Sequence, residues 1–300
     1  MTILLLGANG QVGFELQRVL PRLGPVAAYD VPAIDFSRPE SLRALVRSVA
    51  PDIIVNAAAY TAVDRAESDA ETAFAVNAAA PGILAEEAQA LGARLVHYST
   101  DYVFDGTKSG FYVETDPTAP LSVYGRTKCE GERLVQACDR HLIFRTSWVV
   151  GVHGANFIKT MLRLAGDRES LRVVADQHGA PTSAALLAEM TAAVLSQTRG
   201  DDSRWGLYHL VPSGVTSWHG LARHVIERAH SLGVPLKVTA DDITAITTAE
   251  YPTPAHRPAN SRLGTEKLRN AFALTLPDWM ACTDEVVDGI IRSEHDHNQA

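Results

Sequence analysis

Cysteine is scarce in this chain: Cys129, Cys138 and Cys282 are the only three in 300 residues, and no CxxC pair or zinc-ligand spacing joins them. That excludes a disulfide framework or a zinc module and reads as free thiols in a reducing compartment. Long apolar runs are missing too, so nothing in the sequence reads as a membrane span. The apolar start Ile3-Leu4-Leu5-Leu6 lacks a preceding basic segment and runs straight into Gly-Ala-Asn-Gly, which reads as a buried strand and not a signal sequence. Positive charge is in deficit: the formal net charge is -8, which argues against nucleic acid or an anionic membrane as partner. A small anionic substrate needs only a few local cations and stays open. No internal repeat or low-complexity segment is visible. What remains, 46% hydrophobic and 21% charged, is the composition of a globular, cytoplasmic protein with a sizeable core.

The first chemical signal is Gly7-Ala8-Asn9-Gly10-Gln11-Val12-Gly13, set between an apolar run and a helix whose stripe is Val12, Leu16, Val19 and Leu20. In a strand–turn–helix context, Gly7 permits a tight turn and Gly10 lets backbone approach a pyrophosphate. Gly13 lets the helix pack close to the strand, with the helix N-terminus facing the phosphates. The spacing is G-x-x-G-x-x-G, and alone it is weak, because glycine turns of this kind are common. A second strand, Val26 to Tyr29, ends at Asp30, at the distance expected of an acid that accepts from an adenosine ribose 2'-hydroxyl. With Val31-Pro32 and no arginine after it, Asp30 favours NADH over NADPH.

Ser37-Arg38-Pro39-Glu40 reads as a capping box before a helix with Leu42, Leu45, Val46 and Val49 on its apolar face. A third strand, Asp52 to Asn56, runs into Ala57-Ala58-Ala59-Tyr60, where small residues such as Ala57 suit a flat cofactor lying across the strand ends. An alanine-rich helical region follows from about Ala70 to Leu91, interrupted near Pro81-Gly82. A fourth strand, Arg94 to Tyr98, delivers Ser99-Thr100. Strands alternating with helices at this rhythm predict a Rossmann-like α/β fold, a doubly wound parallel sheet with ligands beyond the carboxyl ends of the strands. The glycine turn, Asp30, Ala57 to Thr61 and Thr100 all fall at such ends.

The next helix opens Tyr124-Gly-Arg-Thr-Lys128, which puts a phenol and an amine on one helical face. With eight tyrosines and five lysines, chance supplies such a match in roughly one similar chain in eight, so position and not pattern carries the signal. A hydride reaching a carbonyl carbon leaves an alkoxide that needs a proton. Tyr124 would donate it, the Lys128 ammonium would lower the phenol pKa and hold the nicotinamide ribose, and Thr100 would hydrogen-bond the carbonyl oxygen. Beyond strand His141 to Arg145 the rhythm loosens. Asp176 to Thr182 is a turn-rich link, helices start near Ser183 and Ser217, Gly206 to Val211 is a strand, and Tyr251 to Pro258 is too proline-rich for helix interior. This half reads as a smaller, mixed α/β substrate domain with a frayed polar tail after His295. The expected division gives about 1–145, with returning segments near 173–185 and 222–253, to the dinucleotide-binding domain. It gives about 146–172, 186–221 and 254–300 to the substrate domain.

The Gly-x-x-Gly-x-x-Gly turn, Thr100 and Tyr124-x-x-x-Lys128 resemble the extended short-chain dehydrogenase/reductase family. Over nearly its whole length the chain looks like the dTDP-4-dehydrorhamnose reductase branch of it. The carrying stretches are Asn56 to Asp64, His97 to Phe104, Phe144 to Trp148, Asp176 to Thr182 and Arg257 to Arg262. The resemblance implies NADH- or NADPH-dependent reduction of dTDP-4-dehydro-6-deoxy-L-mannose to dTDP-L-rhamnose. It implies cofactor contacts at Gly10, Gln11, Val12, Asp30, Asp35, Phe36, Ala59, Tyr60, Thr61, Tyr98 and Lys128, and substrate contacts at Thr100, Asp101, Tyr124 and Trp148. Arg257, with prolines beside it to hold its guanidinium fork, is the candidate for the substrate diphosphate. Some relatives hold Mg2+ at a homodimer contact through acids. Glu15 matches one of these, but the helix after Thr182 opens Ser183-Ala184-Ala185, with Glu189 only further on, so no metal ligand is assigned.

Two other readings compete. Related dehydratases and epimerases carry Thr-Asp-Glu where this chain has Thr100-Asp101-Tyr102, and the missing glutamate favours simple carbonyl reduction. A regulatory subunit of methionine adenosyltransferase shares the scaffold and binds dinucleotide without turnover, but the intact Thr100, Tyr124 and Lys128 favour an enzyme.

Overall fold

The computed structural model describes residues 1–198 and 202–299. Its centre is a six-stranded, all-parallel sheet of β1 (Ile3–Leu6), β2 (Val26–Tyr29), β3 (Ile53–Asn56), β4 (Arg94–Thr100), β5 (His141–Thr146) and β6 (Gly206–His209). The spatial order is β6-β5-β4-β3-β1-β2. Both faces are covered by helices, so β1 and β3 are buried at every position, which is why they read as unbroken apolar runs. One layer packs Leu16 and Val19 of α1 (Gln11–Val19) with Leu187 and Val194, against Val96 and Phe144. The other packs Leu42 and Val46 of α2 (Pro39–Val49) with Leu84 and Ala88 of α3 (Ala80–Leu91), against Ile54 and Leu95. The chain winds from β1 outward to β2 and then returns to place β3 on the other side of β1. That switch opens a crevice at the carboxyl ends of these strands.

The expected capping box does not form. Pro39 takes the first helical position, Arg38 is a cap that makes no side-chain capping bond, and the Ser37 hydroxyl goes to Asp35 Oδ1 (2.6 Å). The break expected near Pro81 is a single π-helical turn, Ala75–Ala79, just ahead of it, where the proline's missing N–H interrupts the α ladder. α4 (Val123–Val135) follows β4 across the sheet.

A second core gathers Val150, Leu171, Val173 and Ala180 with α5 (Phe157–Asp167), α7 (Trp218–Ser231) and α8 (Trp279–Gln299). It redraws the expected domain division. α6 (Ala184–Gln197) and β6, assigned from sequence to the smaller lobe, cover and extend the main sheet. The segments near 173–180 and 222–243, expected to return to the dinucleotide domain, pack in the smaller core. An apolar stripe states that a helix is buried, not which of two cores it covers. The expected frayed tail is helical to Gln299. The side chains from residue 294 onward, tail histidines included, and Ala300 lie outside the described residues.

Gly7 has φ +78°, and a Cβ on it would strike the Ala57–Ala58 backbone. A Cβ on Gly13 would strike the Gly7 carbonyl, whereas one on Gly10 would rest 3.4 Å from that same oxygen. Gly7 and Gly13 are therefore required by the fold and Gly10 is not. Gly13→Ala should lower unfolding stability by more than about 2 kcal/mol and Gly10→Ala by less than about 1 kcal/mol, read from denaturant midpoints.

Candidate active site

β4 carries its side chains alternately to the two helical layers. His97 and Ser99 face α4, Tyr98 faces α6, and Thr100 ends the strand beside the crevice. The Thr100 hydroxyl accepts from Tyr102 N (3.2 Å), capping the short turn Asp101–Val103, and donates to Asp101 Oδ1 (3.0 Å). Asp101 is buried, and its Oδ2 makes no hydrogen bond among the described residues. Burial pushes its carboxyl up to about 6, with Ser261 and Thr100 pulling against the rise.

α4 begins at Ser122, whose Oγ accepts from Gly125 N (3.1 Å). A Cβ on Gly125 would strike the Tyr102 carbonyl, so the helix start sits hard against the Asp101–Val103 turn. That approach brings Tyr124 to Thr100, with the Tyr102 ring edge-on at 5.5 Å. Burial pushes the Tyr124 phenol up to about 12, the Thr100 hydroxyl opposes this, and the Asp101 charge adds to it. The expected lowering by Lys128 is absent among these influences. One helical turn further on, the Lys128 amine is buried; it donates to the Tyr98 carbonyl (2.6 Å) and lies 3.2 Å from His97 Nε2. Burial pulls the amine down to about 8, and Glu132 works against the fall. Glu132 itself pairs bidentately with Arg145 of β5 (2.9 and 2.7 Å) and accepts from Ser99. Gly131 completes the seating of α4, because a Cβ there would strike the Asn77 carbonyl in the π turn.

The cofactor candidates line the crevice mouth. The α1 N-terminus has Gly10 as cap and no side-chain cap bond, leaving its N–H groups free of side-chain partners. Asp30 ties the glycine turn to β2: Oδ2 accepts from Asn9 N and Oδ1 from Val31 N, each at 2.7 Å. Asp35 accepts from the Ser37 amide and hydroxyl and pairs with Arg38 (3.1 Å), while Phe36 is buried in the α2 layer. Ala57 packs at the foot of the turn. The Ala59–Thr61 loop is held by Asn77, whose Oδ1 accepts from Tyr60 N (2.9 Å) and whose Nδ2 donates to Tyr60 O (3.1 Å). Gln11 accepts from Asn156 (3.0 Å), and His153 contacts Asn9 O (2.9 Å), so the loop after β5 reaches over the turn and Val12. The Tyr98 phenol is turned to Thr191 of α6 (2.6 Å), which leaves its backbone as the part nearest Lys128. The exposed helix N-terminus, the Cβ-sized gap at Gly10 and the acid at the end of β2 together fit a dinucleotide.

Among the substrate candidates, Trp148 has φ +49° and stacks on Trp218 of α7 at 3.8 Å, with Gly179 packed beneath it. Trp218 Nε1 donates to Gln177 Oε1 (3.1 Å). Arg257 is fixed by Asp64 (2.7 Å) and lies over the Tyr102 ring, so an acid from after β3, and not its proline neighbours, orients the fork. Its Nη1 is buried without a partner among the described residues, next to a hollow lined by Asp176, Thr248, Tyr251 and His256. Glu15 pairs with Arg18 (2.9 Å) and Glu189 with Arg22 (2.8 Å), and no group of three potential metal ligands occurs among the described residues.

Asn56, His97, Asn77, Gln177, Trp218 and Ser261 were not identified as site residues from sequence. Asn56 and His97 left a signal, as polar residues inside apolar strands that pair in register; the others become neighbours only through folding.

The depressed Lys128 pKa makes a stability prediction. The unfolded chain holds this proton up to about 10.5 and the folded chain only to about 8, so the amine penalises folding below that window and ceases to do so above it. The stability of Lys128→Met relative to the parent should rise as pH falls from 10 to 7, checked by denaturation at each pH.

The model of the RmlD substrate binding domain family matches residues 1–291. The chain is 53% identical to dTDP-4-dehydrorhamnose reductase of Escherichia coli K12, over 93% of this chain and 94% of that protein. Among solved structures it is similar to a dTDP-4-dehydrorhamnose reductase of Clostridium acetobutylicum, with TM-score 0.87, 35% identity and coverage of 96% and 99%. It is also similar to one of Bacillus anthracis in complex with NADP, with TM-score 0.86, 33% identity and coverage of 95% and 98%.

Proposed function

The chain belongs to the dTDP-4-dehydrorhamnose reductase family, a family of oxidoreductases, and from that premise we propose that it reduces the C4 carbonyl of dTDP-4-dehydro-6-deoxy-L-mannose to give dTDP-L-rhamnose. The observation that carries this reading is the meeting of the Thr100 hydroxyl and the Tyr124 phenol at the carboxyl end of β4, with Lys128 one turn behind. NADH or NADPH, when bound, supplies the hydride. The chain's own groups do the rest. Thr100 turns its hydroxyl from Asp101 to the substrate carbonyl oxygen. Tyr124, kept protonated at neutral pH by burial, donates to that oxygen as negative charge develops on it. Lys128 holds the nicotinamide ribose and lowers the cost of the phenolate left behind.

Trp148 and its Trp218 partner offer a rigid apolar wall for the sugar, and Arg257 is placed to pair with the diphosphate through its unpartnered Nη1. Glycine turn, Asp30, Asp35, Phe36, Ala57 to Thr61 and the Tyr98 backbone form the cofactor side of the same reading. Tyr102 in place of a glutamate removes one member of the acid/base pair that elimination requires and leaves only Asp101 beside Thr100, which supports reduction over dehydration.

The test is NAD(P)H oxidation by the purified protein with dTDP-4-dehydro-L-rhamnose, with dTDP-L-rhamnose identified as product. Tyr124→Phe should lower kcat by about 10²–10⁴ while dinucleotide affinity stays within about twofold. Dinucleotide binding without oxidation in the parent would replace the reductase with a regulatory binding protein. Full turnover in Tyr124→Phe would remove the phenol from the mechanism.

A further inference from the structure

The glycine turn and the start of α1 are poor in positive charge. No lysine or arginine precedes Arg18 in the chain, and Arg18 is paired with Glu15 (2.9 Å). A pyrophosphate docking at the turn would meet backbone N–H groups and the helix dipole, but no cation from the glycine segment itself. The basic side chain that does touch the turn comes from the smaller lobe. Residues 151–156 form a loop whose flanks, Val150 and Ile158, are fixed in the smaller core. The loop is pressed onto the first residue of α1. A Cβ on Gly154, at φ +75°, would come within 3.2 Å of Gln11 Cγ, and Asn156 Nδ2 donates to Gln11 Oε1 (3.0 Å). His153, in the middle of this loop, lies flat on the ring of Phe14 from the first turn of α1. The ring centroids are 4.4 Å apart and the planes 5° from parallel. His153 Nε2 faces the Asn9 carbonyl at 2.9 Å. A carbonyl only accepts, so Nε2 carries a proton whether the imidazole is neutral or charged.

The turn does not need this bond. Asn9 is already tied through its N–H to Asp30 (2.7 Å), and both Asn9 and Gly10 are exposed, so water can satisfy the same carbonyl. What the arrangement provides is an N–H donor braced by an aromatic ring and held one residue before Gly10, at the mouth of the anion end of the crevice. We propose that His153 is a cofactor-binding residue supplied by the smaller lobe, whose Nε2–H turns from the Asn9 carbonyl to a pyrophosphate oxygen of the bound dinucleotide. The phosphate oxygen is an anionic acceptor and makes the stronger bond, while the released carbonyl passes to water. Phe14 keeps the ring over the turn during the exchange. The dinucleotide is then gripped from both lobes, by the α1 N-terminus below and by a side chain 144 residues further along the chain above.

This deepens the dinucleotide reading and rests on it, and binding measurements on the whole chain let the two fail separately. NADH and ADP-ribose, which carry the pyrophosphate, are titrated by calorimetry, and adenosine, which carries no phosphate, by ligand NMR. His153→Phe keeps a ring to stack on Phe14 and removes the N–H. It should weaken NADH and ADP-ribose by about tenfold and leave adenosine within about twofold. His153→Lys, which restores a donor and a charge, should recover most of that loss. Unchanged ADP-ribose affinity in His153→Phe would overturn the proposal while the dinucleotide reading stands. Equal losses for ADP-ribose and adenosine would make His153 a brace for the turn and overturn it as well. A parent that binds neither NADH nor ADP-ribose would remove the dinucleotide reading and this proposal with it.

Discussion

Burying the Lys128 amine against β4 is costly unless oriented dipoles meet it, and segments far apart in the chain are arranged to supply them. The Tyr98 carbonyl, the His97 imidazole and, behind it, the Asn56 amide come from two neighbouring strands, while Glu132 comes from the next turn of the same helix. These partners exist only if β3, β4 and α4 keep their register. A one-residue slip of β4 would turn His97 to the other layer and strand both the amine and the amide. The chemistry of the crevice is thus tied to the pairing of the central sheet.

Two glycines let α4 come close enough for this. Gly125 admits the Tyr102 carbonyl at the start of the helix and Gly131 admits the Asn77 carbonyl two turns on. The first contact sets Tyr124 beside Thr100; the second locks the helix to the π turn whose Asn77 side chain clamps the Tyr60 backbone. One helix therefore positions the proton donor and amine on one side and the loop after β3 on the other. The smaller lobe closes the arrangement from above, through Asn156 on Gln11 and through the Asn260 amide, which bonds the Lys108 and Gly110 carbonyls.

Much of the sheet was legible because parallel strands covered on both faces tend to continuous apolar runs, as β1 and β3 are throughout and β4 and β5 are over part of their length, while β2 at the sheet edge is only partly buried. That Thr100, Tyr124 and Lys128 come together at the end of β4 was legible because strand ends and helical spacing dictate where their side chains go. The electrostatics were not legible. Spacing suggested that Lys128 lowers the phenol, but burial dominates at both groups and moves them the other way. Arg257 was singled out for its prolines, yet its orientation depends on Asp64, almost two hundred residues earlier.

By itself the sequence determined the alternating α/β wind, the glycine turn, and which hydroxyl, phenol and amine could meet at the strand ends, because these follow from local periodicity and from the two backbone conflicts that Gly7 and Gly13 avoid. Tertiary structure alone decided which core α6, α7 and β6 join, how Trp148 finds Trp218, and how Asn56, His97 and Lys128 line up. Those outcomes depend on hydrogen-bond direction and on burial. Both are properties of groups brought together across the chain, and neither leaves a periodic trace along it.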